Sequence, residues 1–302
     1  MKADLLEQIK TICRNTEENA SMARYTTFRI GGAAEVLCEP ESREEVCGLV
    51  SLLKEKNEPY TIIGNGSNLL VSDAGIDGVV IRIARRMNKA EVVGEKISAE
   101  SGILLSELSS VAAKAGLTGL EFASGIPGTL GGAIYMNAGA YGGEIGALIE
   151  TVTYISEDGA IKTSGREELS FGYRKSSFSE NGGILLGCIL ALSEGNEKEI
   201  RKKMQELAKK RAEKQPLSYP SAGSAFKRPE GYFAGALIEE AGLKGFRIGG
   251  AGISEKHAGF LVNYGGATAK DVRAVIRYVQ ETVQKKSGVF LEPEIRMIGR
   301  EE

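Results

Sequence analysis

The side chains that most often carry enzyme chemistry are few in this sequence of 302 residues. His257 is the only histidine, so a Ser-His-Asp triad would have to include it, and a metal site built from several histidines is excluded. The four cysteines, Cys13, Cys38, Cys47 and Cys188, stand far apart and form no C-x-x-C pair. This spacing argues against structural zinc and a disulfide framework, and it favours buried free thiols. The sequence therefore predicts no bound metal.

A glycine-rich segment, residues 121–143, is the stronger chemical signal. It contains Pro127 and the glycines Gly125, Gly128, Gly131, Gly132, Gly139, Gly142 and Gly143. Glycine in a helix or strand costs roughly 0.5–1 kcal/mol relative to alanine, so a cluster indicates sharp turns or a close approach to the backbone. Close packing of protein elements is the alternative for any single glycine, but the cluster favours a ligand lying against bare main chain.

A second loop, residues 64–68, has the sequence Gly-Asn-Gly-Ser-Asn and follows a predicted strand. Adjacent N–H groups in such a turn can form a concavity that binds phosphate. The loop departs from the dinucleotide fingerprint G-x-G-x-x-G because Leu69 is at the sixth position and no amphipathic helix follows. A phosphate loop of another fold is favoured over a plain turn. Together with the absence of an obvious nucleophile–base pair, the two loops indicate an organic cofactor that carries the chemistry.

Bulk composition limits the class of protein. The length suggests two or three domains, and a hydrophobic content of 42% is ordinary for a soluble globular protein. The net charge of −2, with scattered lysines and arginines, argues against a nucleic-acid partner. No apolar run reaches the length of a membrane span, and residues 1–10 are typical of an amphipathic helix rather than a signal peptide. We therefore expect a cytoplasmic protein.

Hydrophobic periodicity predicts the elements that would position these loops. Helices are predicted at residues 4–13, 46–53, 104–115, 196–214, 232–241 and 272–283. Strands are predicted at residues 60–63, 79–83, 96–100, 151–155, 183–190, 246–253 and 288–296. Residues 25–38 are predicted as two β-rich runs that meet at Gly31-Gly32, and residues 217–229 as a linker into a further domain.

Several short motifs occur in a fixed order along the chain. They are Thr26–Gly32, Gly64–Leu69, Gly125–Ala133, Met136–Ala140, Tyr173-Arg174, Ala222–Phe226, Ser254–Phe260 and Leu291–Arg296. Each motif alone is weak, but their succession closely resembles the UDP-N-acetylenolpyruvoylglucosamine reductase (MurB) family from about residue 20 to the C-terminus. In some members of the family, an insertion between the Tyr-Arg and Gly-Ser motifs closes over the substrate. The interval between Arg174 and Ser224 is too short to contain it, so the chain resembles the type II class, which lacks this insertion.

The resemblance implies an α+β fold. An FAD-binding region of the PCMH (vanillyl-alcohol-oxidase-like) type, at about residues 26–191, has two subdomains, and an α+β substrate domain follows. The implied boundaries are residues 1–82 with 288–302 for the first subdomain, 83–216 for the second, and 217–287 for the substrate domain.

The resemblance also implies the cofactors and the residues that bind them. FAD would be noncovalent, since Ala33 stands where covalent flavoproteins often have histidine, and NADPH would be the hydride donor. The implied FAD-binding residues are Gly64, Asn65, Gly66, Ser67, Asn68, Leu69, Ser124, Gly125, Ile126, Pro127, Gly128, Thr129, Gly131, Gly132, Ala133, Asn137, Gly139 and Ala140.

The implied reaction is reduction of UDP-N-acetylglucosamine enolpyruvate to UDP-N-acetylmuramate, a step of peptidoglycan synthesis. Arg174 would bind the substrate carboxylate and the developing charge, and Ser224 would protonate C2. Glu294 would polarise the enol and anchor the intermediate. Without the resemblance, these three residues would be interpreted as a surface ion pair, a turn residue and an exposed acid.

Two further residues are implied in binding the UDP-sugar. Lys214 matches a family lysine that contacts the diphosphate, with solvation of a charged helix as the alternative. Arg228 stands where the family often has an asparagine that contacts the nucleotide. His257 is interpreted as a structural or substrate-adjacent residue rather than a general base.

Two other function classes compete with this hypothesis. A different PCMH-type flavin oxidase, acting on a sugar or hydroxy acid, would react with oxygen and have no use for Ser224. A nucleotide-binding module without catalysis would keep the glycine loops but not need Arg174 and Glu294. The expected partner is a small-molecule UDP-sugar, with no nucleic acid and no membrane. The sequence does not fix the oligomeric state, and a monomer is compatible with it.

Overall fold

The chain has an α+β structure in the computed structural model, which describes residues 1–301. It forms two compact units. Unit 1 consists of Met1–Glu17, Val36–Asn65 and Gly78–Lys210, and unit 2 of Glu18–Glu35, Gly66–Asp77 and the described residues from Arg211 onward. The α+β class predicted from the sequence is confirmed. The three-part division of the chain stays a prediction.

The helices and strands are interspersed along the chain. The helices are α1 Ala3–Ile12, α2 Arg43–Glu55, α3 Leu105–Lys114, α4 Leu130–Tyr135, α5 Ser177–Asn181, α6 Glu197–Lys214, α7 Ala234–Glu240 and α8 Ala269–Ser287. The strands are β1 Thr16–Ser21, β2 Ala33–Cys38, β3 Tyr60–Ile63, β4 Leu69–Val71, β5 Ile76–Arg82, β6 Ala90–Val93, β7 Lys96–Glu100, β8 Leu117–Thr118, β9 Gly139–Ala140, β10 Gly143–Glu144, β11 Ile149–Ile155, β12 Ile161–Gly165, β13 Phe171–Gly172, β14 Lys175–Ser176, β15 Ile184–Ala191, β16 Ser193–Glu194, β17 Ser221–Ser224, β18 Arg247–Ile248, β19 Ala251–Ile253, β20 Phe260–Asn263 and β21 Arg296–Ile298.

The main sheet of unit 1 has five antiparallel strands in the order β12-β11-β15-β7-β6. Its core includes buried side chains from β7, α3, α4 and β15. A second core in unit 1 forms where α1 and α2 pack on strand residues such as Val79 and Ile81. β3 runs parallel to β5, with Tyr60 opposite Val79 and Ile63 opposite Arg82. This pairing places the loop that begins at Gly64 directly after a sheet strand.

Unit 2 is built on a four-stranded antiparallel sheet in the order β17-β20-β19-β18. α7 and α8 pack on this sheet and share one core with Phe28, Ile30 and Leu70. The short strand β21 pairs in parallel with β4, with Arg296 opposite Leu69. Residues from distant parts of the sequence therefore meet in unit 2.

Helix α8 shows why the longer helices form where the sequence predicts them. The side chain of Thr268 accepts a hydrogen bond from the Asp271 N–H, and Asp271 in turn accepts from the Thr268 N–H, which completes a capping box. A buried stripe follows at helical spacing: Val272, Val275, Ile276, Val279 and Val283. Gly288, at φ 74°, ends the helix in the left-handed conformation.

Three element predictions are wrong. The predicted strand at 288–296 is irregular up to Ile295, and the actual strand is β21. Residues 25–30 form a loop because their backbone groups and side chains bond to other segments of unit 2, as in the 2.7 Å bond from Thr27 Oγ1 to the Ser221 carbonyl. The predicted linker 217–229 contains β17, which pairs with β20.

Across residues 1–301, none of the helices is both long and apolar enough to cross a membrane.

The capping box of α8 gives a stability prediction. Thr268→Ala removes the side-chain acceptor at the N-terminus of the helix, so the free energy of unfolding should fall by about 1 kcal/mol. Urea denaturation followed by circular dichroism measures this change. Thr11→Ala is the control: Thr11 donates to Glu7 O from an exposed position inside α1, and its loss should change the free energy by less than about 0.5 kcal/mol. Equal effects of the two substitutions would contradict the capping role.

Candidate active site

The two glycine-rich loops predicted from the sequence touch each other within unit 1. The Asn65 side-chain amide donates to the Pro127 carbonyl at 2.7 Å, and its oxygen accepts from Arg82 at 3.3 Å. A Cβ atom added at Gly64 would lie 2.3 Å from Thr129 Oγ1. The absence of a side chain at Gly64 therefore allows the two loops to approach each other.

Helix α4 lies inside the glycine-rich segment, for which the sequence predicts no helix. Thr129 caps it by accepting from the Gly132 N–H at 3.4 Å. The first-turn amides of Leu130 and Gly131 donate to the carbonyls of Ile103 and Ser101, at 2.8 and 2.7 Å. These bonds to a neighbouring segment compensate for the low helix propensity of glycine.

The remaining exposed main chain of these loops fits an FAD diphosphate. Gly125, Pro127 and Gly132 are exposed, and a Cβ at Gly132 would meet only Thr129 Oγ1, at an ordinary 3.5 Å. Neither residues 64–69 nor residues 124–133 contain a charged side chain. Exposed backbone without acidic side chains allows an anionic group to approach without charge repulsion.

Helix α4 ends in a Schellman motif centred on Asn137. The Ala138 N–H donates to the Ala133 carbonyl at 2.8 Å, and the Asn137 N–H donates to the Ile134 carbonyl at 3.2 Å. Asn137 has φ 42°, the left-handed conformation that asparagine tolerates better than most residues. Its side chain is 1% exposed and bonds to three other residues: Nδ2 donates to Glu144 Oε2 and to Gly172 O at 3.0 Å each, and Oδ1 accepts from Gly146 N at 3.0 Å.

Arg174 lies at the tip of a hairpin attached to the same end of α4. β13 and β14 pair Gly172 with Lys175, so Tyr173 and Arg174 form a two-residue turn. Arg174 has φ 57°, a conformation that type II turns require at this position and that glycine or asparagine usually supplies. Ser176, on the second strand, donates to the Tyr135 carbonyl at 2.8 Å. An arginine held in this unfavourable conformation is typical of functional sites.

In unit 2, Ser224 and Glu294 are neighbours although 70 positions separate them in the sequence. Ser224 is exposed at the end of β17, and the next carbonyl, that of Ala225, accepts from the Glu294 N–H at 2.9 Å. The Asn68 side-chain amide donates to the Glu294 carbonyl at 3.1 Å, and the Asn68 carbonyl accepts from the Arg296 N–H at 3.0 Å. Two of the predicted catalytic residues thus lie beside one residue of the predicted phosphate loop.

The motif around His257 supports the Ser224 strand. His257 Nδ1 accepts from the Gly259 N–H at 3.0 Å, so this nitrogen carries no proton. The Gly259 carbonyl accepts from the Ala225 N–H at 2.8 Å. Burial lowers the pKa of His257, and the charges of Lys244 and Lys214 lower it further. A neutral, half-buried His257 orders this turn.

The two predicted substrate-binding cations are exposed. Lys214 is the last residue of α6. The Arg228 guanidinium lies over the Phe233 ring, 4.0 Å from its centroid, and its Nε donates to the Tyr232 carbonyl at 3.3 Å. The neighbouring Lys227 forms an ion pair with Glu292. Both cations can therefore contact an anionic ligand without being desolvated first.

Sequence reasoning missed Gly172 and Ser176, which attach the Arg174 hairpin to α4. The sequence of residues 169–178 is typical of an aromatic and polar loop. The available signal was the two-residue spacing between the short runs Phe171-Gly172 and Lys175-Ser176, which is typical of a hairpin.

Family models match both halves of the chain. A model described as "FAD binding domain" matches residues 34–165, and one described as "UDP-N-acetylenolpyruvoylglucosamine reductase, C-terminal domain" matches residues 215–298. The solved alkyldihydroxyacetonephosphate synthase shares the fold over 64% of this chain and 41% of its own, with a TM-score of 0.50 and 17% identity. The fold and the glycine loops define the class: an FAD-binding oxidoreductase with a PCMH-type domain.

Full-length similarity then gives the family. A UDP-N-acetylenolpyruvoylglucosamine reductase from Caldanaerobacter subterraneus subsp. tengcongensis is 50% identical over 297 residues, 98% of each chain, and one from Clostridium novyi is 48% identical over 300 residues, 99% of this chain and 97% of its own. The crystal structure of the reductase (MurB) from Thermus caldophilus matches with a TM-score of 0.79 and 42% identity, covering 92% of this chain and 97% of its own. The chain belongs to the UDP-N-acetylenolpyruvoylglucosamine reductase family, as its motifs predict.

The backbone conformation of Arg174 gives a prediction that separates stability from function. Arg174→Gly and Arg174→Ala remove the same side-chain contacts, but only glycine adopts positive φ without strain. The glycine variant should therefore be more stable than the alanine variant by about 1 kcal/mol. Chemical denaturation of the two proteins measures the difference. An alanine variant as stable as the glycine variant would show that the turn relaxes and that position 174 is not strained.

The lowered pKa of His257 gives a prediction about acid stability. Below about pH 6.5 the unfolded chain binds a proton at this residue more readily than the folded chain. The free energy of unfolding should therefore decrease as the pH is lowered through that range. His257→Gln keeps an acceptor for the Gly259 N–H and removes the titration, so its unfolding free energy should fall less between pH 7.5 and pH 5.5. Urea midpoints at these two pH values measure the slope. Lys256→Gln, which changes the adjacent charge, should keep the wild-type slope.

Proposed function

We propose that this protein catalyses the NADPH-dependent, FAD-mediated reduction of UDP-N-acetylglucosamine enolpyruvate to UDP-N-acetylmuramate, a step of peptidoglycan synthesis. The observation that carries the proposal is the similarity to reductases of this name at about half identity over nearly the whole chain. The attachment of the Arg174 turn to the glycine-rich helix α4 supports it within unit 1.

FAD, when bound, would supply the redox chemistry that links NADPH to C3 of the enolpyruvyl group. The FAD-binding residues that we propose are those predicted from the sequence, in the loops 64–69 and 124–140, with the exception of Asn137, whose side-chain amide bonds to protein groups. Asn65 and Thr129 shape these loops, and the exposed main chain at Gly125 and Gly132 would hold the cofactor diphosphate.

Arg174 provides the cation for the substrate. Hydride addition at C3 builds negative charge next to the substrate carboxylate, and a planar guanidinium can hold both oxygens of that group. The hairpin fixes the arginine backbone before substrate arrives, so little reorganisation remains for the reaction.

Ser224 and Glu294, which both lie in unit 2, have the remaining two catalytic roles in this proposal. The exposed Ser224 hydroxyl donates the proton to C2, and Glu294 polarises the enol and anchors the intermediate. Lys214 and Arg228 bind the diphosphate or nucleotide of the UDP-sugar as exposed cations. A cytoplasmic location belongs to this proposal as well.

A spectrum and one assay test the overall function. The purified protein should be yellow, and acid should release the flavin. NADPH oxidation should be much faster with UDP-N-acetylglucosamine enolpyruvate than without it. A flavin-free protein that cannot be reconstituted with FAD would overturn the proposal, and equal rates with oxygen alone would favour an oxidase of a sugar or hydroxy acid.

Ser224→Ala tests the proton donor. The variant should keep flavin reduction by NADPH nearly intact and should slow flavin reoxidation by the enolpyruvyl substrate about 10²- to 10⁴-fold, the usual contribution of a positioned acid. Stopped-flow absorbance of the flavin measures the two half-reactions separately. Ser221→Ala, on the same strand, is the control and should leave both rates near wild type. A parallel loss of both half-reactions in Ser224→Ala would assign Ser224 a structural role.

A further inference from the structure

We infer that Asn137 is a positioning residue for Arg174: its side-chain amide fixes the turn that carries the guanidinium, rather than binding the cofactor. This inference rests on the proposed role of Arg174 in substrate binding.

The hydrogen bonds of the Asn137 side chain leave no donor for a ligand. Both N–H groups of its amide are engaged, one by the Glu144 carboxylate and one by the Gly172 carbonyl. Its oxygen accepts from the Gly146 N–H, and the side chain is 1% exposed. The partners also fix the orientation of the amide, because a carboxylate and a carbonyl can only accept whereas an N–H can only donate. Any contact of Asn137 with FAD therefore involves its main chain.

The bond to Gly172 acts directly on the Arg174 turn. Gly172 is the last residue of β13, and Tyr173 and Arg174 follow it as the two turn residues. Ser176 holds the other strand of the hairpin to the Tyr135 carbonyl. The base of the turn is thus attached on both sides to the last residues of α4, the helix of the glycine-rich segment.

The Gly146 bond holds the other side of the same assembly. Gly146 packs so closely on Phe171 that an added Cβ would lie 2.6 Å from the ring. The Arg166 Nε donates to the Gly146 carbonyl at 2.9 Å, and its guanidinium lies 5.0 Å from the centroid of the Phe171 ring. Asn137 therefore bonds to β13 directly, at Gly172, and also to Gly146, on which Phe171 of β13 packs.

The strain at Arg174 explains why such support is needed. A residue at positive φ relaxes towards a more favourable conformation unless its surroundings hold it. Loss of the Gly172 bond would detach the first strand of the turn from the end of α4, and a shift of the guanidinium by about 1 Å is enough to reduce a rate about 100-fold.

Asn137→Gly is the variant that tests this role. Glycine accepts the positive φ of the Schellman motif, so the backbone at the end of α4 is retained while the amide is removed. The holoprotein should keep its flavin content, its flavin spectrum and its rate of reduction by NADPH. Reoxidation of the reduced flavin by UDP-N-acetylglucosamine enolpyruvate should slow by about 10- to 100-fold.

Two further variants separate positioning from a general loss of structure. Glu144→Gln keeps an acceptor for Asn137 and should reoxidise within about twofold of wild type. In the Arg174→Lys background, Asn137→Gly should slow reoxidation by less than about twofold further, because the group that it positions is already lost.

Each contrary result has a definite meaning. Loss of FAD or of NADPH-dependent reduction in Asn137→Gly would overturn the inference and make Asn137 a cofactor-binding or purely structural residue. The same loss factor in wild-type and Arg174→Lys backgrounds would overturn it too, since the two residues would act independently. A wild-type protein that is yellow and reduced by NADPH but not reoxidised by the enolpyruvyl substrate would overturn the proposed function, and the inference with it.

Discussion

The left-handed turn that ends helix α4 is the constraint on which the position of the Arg174 turn in unit 1 depends. Asn137 closes the helix by a Schellman motif and, through its side chain, bonds to the segments at Gly146 and Gly172. At its other end, α4 is capped by Thr129, which lies against Gly64 of the second glycine loop. One helix of six residues thus links both predicted cofactor loops with the turn that carries Arg174.

In unit 2, main-chain hydrogen bonds between two distant segments bring the proposed catalytic residues together. The bonds between Ala225 and Glu294 and between Lys227 and Glu292 place the segment before β21 beside the end of β17. Ser224 is exposed and Glu294 is partly buried, and their proximity depends on main-chain bonds, which do not require particular side chains. A functional pair can therefore arise in unit 2 from segments that show no pattern of a paired site in the sequence.

The sequence predicts the elements whose signals are local. Helices α2 and α8 have a polar N-cap and an apolar stripe, and both occur where predicted. Helix α4 could not be predicted because glycine disfavours helix, and its first-turn amides bond to Ser101 and Ile103, far away in the sequence.

The family motifs predict which residues belong to the site. They could not predict the positive φ of Arg174 or the saturated amide of Asn137, because both follow from tertiary bonds. The strand prediction at 288–296 was wrong for the same reason. The backbone of this segment bonds to residues 225–227, where only an isolated bridge forms at Pro293 instead of a regular ladder.

The contact between Gly64 and Thr129 also restricts the order in which this chain can change during evolution. A methyl group at position 64 would lie 2.3 Å from Thr129 Oγ1 but at ordinary distances of 3.5 and 3.7 Å from the Cβ and Cγ2 atoms. Only the hydroxyl oxygen therefore blocks the larger residue. A lineage that loses this hydroxyl first, by Thr129→Ala, loses a helix cap but gains space for alanine at 64, whereas the reverse order passes through a clash. The two positions, 65 residues apart in sequence, are thus expected to show directional epistasis, in which one substitution is accessible only after the other.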